Sequence, residues 1–476
     1  MPTNDGRWTT AQRWTLALAS IAALMITLDA LVVSTALNTI RTDLGASLES
    51  LEWTVNAYGL SYAVLMMTGA ALGDRLGRRR VLLVGLTGFT AASAACALAP
   101  SIGWLIAART VQGAGGALIM PLAMALVSAA FPPAQRARAM GLFVGLLGLG
   151  VVGGPVVGGA VAEALSWQWI FWLNVPIGVV LIPLIRMRIA ETPRGSARLD
   201  GPGVGLATGA AFGLVWGLVR GNAAGWGSAE VVAALAGGAL LTVAFVRWEL
   251  RAPAPMLPMR LFAERTFAVS NACGLLLFAS NYGSVFLIAQ YLQANRGYSP
   301  LGAGVRMLPW TVTILAVAPL AGTLAARYGV RRLVAGGLAL QAIGVGLVAV
   351  LADTGASYPV LVAPLVLAGS GISVAMPSSQ NAVVSAVPPA AIGQASGTYN
   401  TLRQLGGAFG VAVVVAVFSA AGSYASPQAF GDGFVVALGV AAIIAAVGAG
   451  AALGLPRPQA AAPEPARAAV PQLAEV

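Results

Sequence analysis

Residues 141–159 read GLFVGLLGLGVVGGPVVGG, apolar throughout, with eight glycines, one proline and no charge. In water such a helix would be poor, because each interior glycine costs roughly 1 kcal/mol relative to alanine. In a bilayer the backbone has no water to bond and stays helical. Small residues there let two helices approach closely, and a proline is tolerated because neighbouring groups re-satisfy the freed carbonyl. The stretch reads as a membrane helix built for intimate contact, either a fixed small-residue seam or a moving part.

Composition extends that reading to the whole chain. Of 476 residues 58% are hydrophobic and 9% charged, against roughly one quarter charged in soluble domains, which makes this a polytopic membrane protein. The net charge of +11 does not indicate nucleic-acid binding, since that needs a basic patch on a folded polar domain. Every basic residue is an arginine, and histidine is absent, so no imidazole can hold a metal or relay a proton. Cys96 and Cys273 fall in apolar spans, where free thiols are ordinary; no disulfide, metal or cofactor is expected.

Segments long enough to cross a bilayer occur at 14–36, 53–73, 81–99, 103–126, 138–162, 167–187, 203–220, 231–247, 267–292, 303–325, 333–352, 359–382, 400–422 and 433–455. The first of these fourteen spans is too long for a signal segment and reads as a retained transmembrane helix; residues 1–13 are left as an N-terminal segment and 456–476, rich in Ala and Pro, as a disordered tail. Arg75, Arg78, Arg79, Arg80, Arg136, Arg138, Arg327, Arg331, Arg332 and the arginines of the linkers at 186–200 and 247–265 fall on one side. Arg41, Arg220, Arg296 and Arg306 fall near the other, whose loops are expected to carry Asp43, Glu49 and Glu52. The positive-inside rule then places both termini in the cytoplasm. The segment LGDRLGRRR (72–80) recurs as LAARYGVRR (324–332), a repeat of the kind that marks two related transporter halves. Ala326 stands where the first copy has Asp74.

Three charged positions invite chemistry. Asp74 sits near a helix C-terminus, where the dipole disfavours negative charge, so it needs a partner: Arg75 or Arg78 in its own turn, or a group from elsewhere. Arg109, Gln112, Gly113 and Gly116 share one face of span 4. An arginine inside a span faces the bundle interior or snorkels to the interface, and Arg109 has either route. Asp29 is the only acid in the middle of an expected span. It is a functional site by default, or else a protonated acid bonded between helices.

Taken in order, the motifs resemble the fourteen-span drug/proton antiporter branch of the major facilitator superfamily. Gly141, Gly150, Gly154, Pro155, Gly158 and Gly159 resemble its span-5 antiporter motif, and are expected to pack against the opposite half of the protein. Residues 72–80 resemble the superfamily's signature loop, in which Asp74, Arg75, Gly77 and Arg78 would form a latch to the N-terminus of span 13; Ala70 departs from its pattern. LIAARTVQGAGGA (105–117) resembles the span-4 motif whose arginine takes part in proton coupling. LDALVVSTALNTI (28–40) resembles the LDxTVVNVALPxI signature, with Leu31, Ser34 and Asn38 as departures. WQWIF (167–171) with NVPIG (174–178) resembles WRWIFxxNVPIG, with Gln168 replacing the arginine. Tyr291–Gln293 with Gly297–Pro300, and NTLRQLGG (400–407), match further stretches.

The resemblance implies an all-α major facilitator fold of two six-helix halves, 14–187 and 266–455, with two extra central helices in the 188–265 segment. It implies proton coupling through Asp29 and Arg109, and a central cavity for a small amphipathic molecule. Expected lining residues are Asn56, Tyr58, Tyr62, Gln112, Asn281, Tyr282, Phe286, Gln290, Trp310, Gln380, Asn381, Asn400 and Arg403, whose alternative is helix packing or an interfacial aromatic belt. The function implied is export of a hydrophobic drug or secondary metabolite in exchange for protons, by a monomer in the cell membrane surrounded by lipid. A proton-coupled importer shares the fold. A receptor or membrane enzyme is the reading from another class, and the sequence offers neither a soluble output domain, a P-loop nor a convergent catalytic set.

Overall fold

The computed structural model describes residues 8–192, 200–317, 320–388 and 391–456. The expected tail beyond Pro456, the first seven residues and linker residues 193–199 lie outside them. Among the described residues fourteen helices are long and apolar enough to cross a membrane. Spans 1–6 are Thr10–Leu44, Glu49–Leu76, Arg78–Ala97, Ile102–Ala130, Arg138–Ala164 and Trp169–Arg188; spans 7 and 8 are Gly201–Ala224 and Ala229–Glu249. Spans 9–14 are Arg265–Asn295, Pro300–Val317, Val330–Asp353, Tyr358–Ser385, Gln394–Ala421 and Pro427–Ala452.

Helix ends run past the apolar runs because polar residues cap them. Span 1 begins in a capping box between Thr9 and Gln12 and stops at Gly45, whose left-handed φ of 60° closes its last turn. Spans 2, 4, 8, 10 and 14 each start on a serine whose hydroxyl accepts a first-turn N–H: Ser47, Ser101, Ser228, Ser299 and Ser426. The acids expected in loops at this end therefore sit on helical turns. Asp43 lies in the last turn of span 1, and Glu49 and Glu52 lie in the first turns of span 2. Glu52 is buried, with Asn56 Nδ2 donating to it at 3.4 Å.

The repeat at the opposite, arginine-rich end has a common backbone. Gly77 (φ 104°) and Gly329 (φ 81°) each end one helix and start the next, in a region that only glycine enters freely. Packing repeats as well: span 1 lies on 5 as 9 lies on 13, 3 on 4 as 11 on 12, 3 on 6 as 11 on 14, and 2 on 4 as 10 on 12. Two seams join the halves, span 2 against 13 and span 5 against 10, and they too are exchanged by the same symmetry. Span 7 lies across the first seam, touching both 2 and 13.

Three spans are less regular than their hydropathy suggests. Span 10 is broken at Met307 and Val312 around Pro309, which supplies no N–H to the preceding turn. Span 6 is broken at Leu173, three residues before Pro176. Span 9 ends in a π-helical turn, Tyr291–Asn295. Span 12, by contrast, is continuous through Pro364 and Pro377.

The glycines of span 5 divide between two neighbours. Gly150, Gly154 and Gly158, one turn apart, face span 1 of the same half: added Cβ atoms would stand 2.6 Å from Leu24 Cδ1, 2.8 Å from Leu31 Cβ and 2.9 Å from Val32 Cα. The contact with the opposite half is made one residue on, where Gly159 meets the Pro300 carbonyl and Leu301, and Gly304 of span 10 meets the Pro155 carbonyl. The expectation that Gly154 and Gly158 face the other half is thus corrected by one step of helical rotation. Gly141 has open space around it. Leucine at Gly158 or Gly304 should destabilise the folded protein by about 1–3 kcal/mol through overpacking, whereas Gly141→Leu should leave thermal denaturation in detergent unchanged; equal melting of all three variants would contradict this packing.

Candidate functional site

Asp29 and Arg109 meet in the interior of the first half. Arg109 Nη1 donates to Asp29 Oδ2 at 2.5 Å, and Asp29 and Arg109 are 3% and 1% exposed, so the arginine does not snorkel. Taking both charges out of water is costly unless every remaining lone pair and proton is satisfied, and nearly all are. Asp29 Oδ1 accepts from Gln112 Nε2 at 2.8 Å and from Asn174 Nδ2 at 2.9 Å. Gln112 Oε1 accepts from Arg109 Nη1 at 2.6 Å and from the Cys96 thiol at 3.7 Å, while its amide also donates to Ser93 Oγ at 2.8 Å. Arg109 Nε donates to the Thr54 carbonyl at 3.2 Å, and the guanidinium lies 4.1 Å from the Tyr58 ring centre.

Local sequence puts these groups together. Arg109 and Gln112 share a helix face by their spacing of three, and Gly113 beside them lets span 4 close on the Tyr58 carbonyl and Ser61 of span 2. The break at Leu173 starts a new helix at Asn174, whose amide then reaches Asp29. Sequence reasoning singled out Asp29, Arg109 and Gln112 but not Asn174, Ser93 or Cys96. The proline two residues after Asn174 is the signal that a helix restarts there.

Further expected lining residues are divided among spans 2, 9 and 13. Tyr58 and Tyr62 of span 2 stack with centres 6.0 Å apart within the packed core of the first half. From the second half, Tyr282 Oη donates to Gln404 Oε1 at 3.4 Å, and Arg403 lies 5.0 Å over the Phe278 ring. Tyr399, one turn before Arg403 on span 13, donates its hydroxyl to the Met376 carbonyl at 3.2 Å. Asn281 and Asn400 are half-buried; the Asn400 amide is spent on the Ser396 carbonyl. Other expected lining residues lie elsewhere. Phe286, Gln290 and Trp310 belong to the packed interior near the acidic end, where Gln290 accepts from Tyr424. Asn56 is buried beside Glu52, and Asn381 is exposed near the Ser385 end of span 12.

Asp74 pairs with Arg78 one turn on, at 2.8 Å. Among the described residues nothing from the second half bonds it. The turn at Gly77 is instead held from the linker after span 6. Glu191 accepts the N–H groups of Arg79 at 3.0 Å and Arg80 at 3.2 Å, and Thr192 Oγ1 accepts that of Arg78 at 3.2 Å. A carboxylate at this uncapped helix start is electrostatically apt, and no motif in the sequence announces it. Described hydrogen bonds between the halves gather at the acidic end. Gln293 Nε2, in the π-turn, donates to the Thr35 carbonyl at 2.9 Å, and Leu301 N–H donates to Glu163 at 3.1 Å; Arg41 also stacks on Tyr424 there, 4.4 Å from its centre.

The Asp29–Arg109 pair makes a stability prediction. Arg109→Leu strands a buried carboxylate and should cost about 3–5 kcal/mol, whereas Asp29→Leu/Arg109→Leu, which leaves neither charge alone, should melt closer to the parent. A double variant no more stable than Arg109→Leu would mean that the two side chains are not coupled.

Residues 19–411 and 270–475 match the family model of the Major Facilitator Superfamily. The tetracenomycin C resistance and export protein of Streptomyces glaucescens is 34% identical over 84% of this chain and 74% of its own length. The multidrug resistance protein Stp of Mycobacterium tuberculosis is 36% identical over 86% of this chain and 76% of its own. The cephamycin export protein CmcT of Amycolatopsis lactamdurans is 37% identical over 84% of each. A solved POT family transporter in complex with a thioalcohol-conjugated peptide superposes with a TM-score of 0.69 over 91% of this chain and 94% of that one, at 15% identity. A D-xylose–proton symporter does so with a TM-score of 0.64 over 92% and 96%, again at 15% identity. With its internal repeat, its paired seams and these matches, the chain belongs to the Major Facilitator Superfamily.

Proposed function

We propose that the protein is a secondary active exporter, not an enzyme, which exchanges inward-moving protons for a hydrophobic drug or secondary metabolite across the cell membrane. The observation that carries this is the fully buried Asp29–Arg109 pair in a chain whose relatives are named for drug and antibiotic export. A buried carboxylate can hold either its arginine or a proton. Protonation of Asp29 removes the charge that Arg109 balances and frees the guanidinium to seek another acceptor, which moves span 4 relative to span 1. Gln112 and Asn174 keep the carboxyl oriented in both states. The distribution of arginines supports a cytoplasmic location for the arginine-rich end and both termini, and a single chain carries both halves and the pathway between them.

On this reading the described conformation is closed outside, where the inter-half bonds gather. The latch is disengaged, with Asp74 turned back on Arg78. The start of span 13 has no side-chain cap, so its N–H groups are available to Asp74 when the cytoplasmic end closes. Tyr58, Tyr62, Asn281, Tyr282, Asn400 and Arg403 then line the cargo path.

Two measurements test this. In vesicles with reconstituted protein, Asp29→Asn should lose substrate-induced proton flux by about tenfold or more (about 1.4 kcal/mol or above) while counterflow exchange of substrate persists; unchanged proton flux removes Asp29 from the mechanism. Asp74→Asn should insert normally yet export poorly, and should raise the labelling of cysteines placed on the cytoplasmic half of the path. Parental export and labelling would remove the latch.

A further inference from the structure

We infer that Arg403 is a receptor for an anionic group, so that the cargo class is amphipathic molecules carrying one carboxylate, phenolate or comparable acid. This rests on the exporter reading above and specifies its substrate. Arg109, Arg306 and Arg403 lie inside the spans, and Arg306 spends its Nη1 on the Gly302 carbonyl of its own turn and rests on Tyr298. Arg109 is matched by Asp29. Arg403 is about 14 Å along span 13 from its start at 1.5 Å per residue, and among the described residues no carboxylate pairs with it. Its Nε is buried without an acceptor, and its guanidinium rests on Phe278. An unmatched cation at such depth is costly, and its partner has to be sought.

The surroundings fit a ligand better than a missing internal partner. Phe278 of span 9 lies under the Arg403 guanidinium, Tyr282 of span 9 bonds the neighbouring Gln404, and Tyr399 precedes Arg403 by one helical turn; none of these side chains is a carboxylic acid that could pair with it. The one mid-span acid, Asp29, is not free to serve Arg403, since its carboxylate is consumed by Arg109, Gln112 and Asn174. The region between the halves thus carries one uncompensated positive charge with aromatic rings beside it. That combination pairs with an acid on an apolar body, because a guanidinium binds a carboxylate through parallel N–H donors. It also gives the cargo a part in the cycle. Closing the arginine-rich end removes water from Arg403, and a bound anion supplies the acceptor that water provided.

The test measures binding of 1-naphthoate and its uncharged methyl ester to purified full-length protein in phosphatidylcholine nanodiscs, with no proton gradient. The parent should bind the acid more tightly than the ester. Arg403→Gln should weaken the acid by about tenfold or more, the usual scale for losing a charge-assisted hydrogen bond, and leave the ester within about twofold; Arg403→Lys should recover part of the loss. Equal affinity for acid and ester in the parent, or an equal loss of both in Arg403→Gln, overturns the inference. Abolition of naphthoate binding by added phosphatidylglycerol overturns it too, by making the site one for lipid headgroups. Proton-driven efflux of an uncharged dye by vesicles of the parent protein separates the two readings: if efflux is seen while the parent lacks acid selectivity, the exporter stands and the substrate class falls, and if neither is seen both fall.

Discussion

A charge pair buried at 1–3% exposure tolerates no loose neighbours, and the first half is arranged around that constraint. Spans 1, 4 and 6 each contribute a side chain to it, span 2 a carbonyl and span 3 a hydroxyl. Five helices must therefore approach one point to within hydrogen-bond distance. The glycines at 113, 115 and 116 follow from this: their missing side chains let span 4 come against the backbone of spans 2 and 3 and the ring of Tyr62. The break in span 6 has the same origin, because it swings Asn174 inward at the depth of Asp29.

The two halves share a packing plan but not a chemistry. Seams, turn glycines and helix neighbours repeat, whereas the acid at 74 is replaced by alanine at 326 in the second copy, and Arg109 of the first half is paired with Asp29 while Arg403 of the second has no carboxylate partner among the described residues. A duplicated scaffold constrains backbone geometry strongly and interior polar groups weakly, which leaves each half free to take a different task in exchange.

Hydropathy made the fourteen spans legible, since each span must satisfy its own backbone in the bilayer, and the repeat at 72–80 and 324–332 revealed the two halves. Asp29, Arg109 and Gln112 were legible for a related reason: polar side chains are rare enough within spans to stand out. Helix rotation was not. Glycine spacing showed that span 5 makes close contacts, but successive residues of a helix point about 100° apart, and only the packed structure assigns 158 and 159 to their different neighbours. Caps that come from distant loops, such as Glu191 and Thr192 on the turn at Gly77, leave no local pattern. Nor does hydropathy alone reveal Glu52, which looks like a loop acid until the helix is seen to begin before it.

Spans 7 and 8 interrupt the internal symmetry in one direction. Arg220 ties span 7 to Glu49 of span 2 at 3.2 Å, and Asn222 bonds the Ala416 carbonyl of span 13. Phe212 and Trp216 pack with tilted rings against Trp53 across the same join, with centres 5.7 and 5.5 Å away. Of the two seams between the halves, this hairpin roofs one, and among the described residues no comparable helix covers the other, along spans 5 and 10. The two joins are consequently unlike: a helix hairpin covers the one along spans 2 and 13, whereas the one along spans 5 and 10 is closed by direct contact of the two helices, backbone to backbone at Gly159 and Gly304, so parting the halves there displaces no covering helix among the described residues.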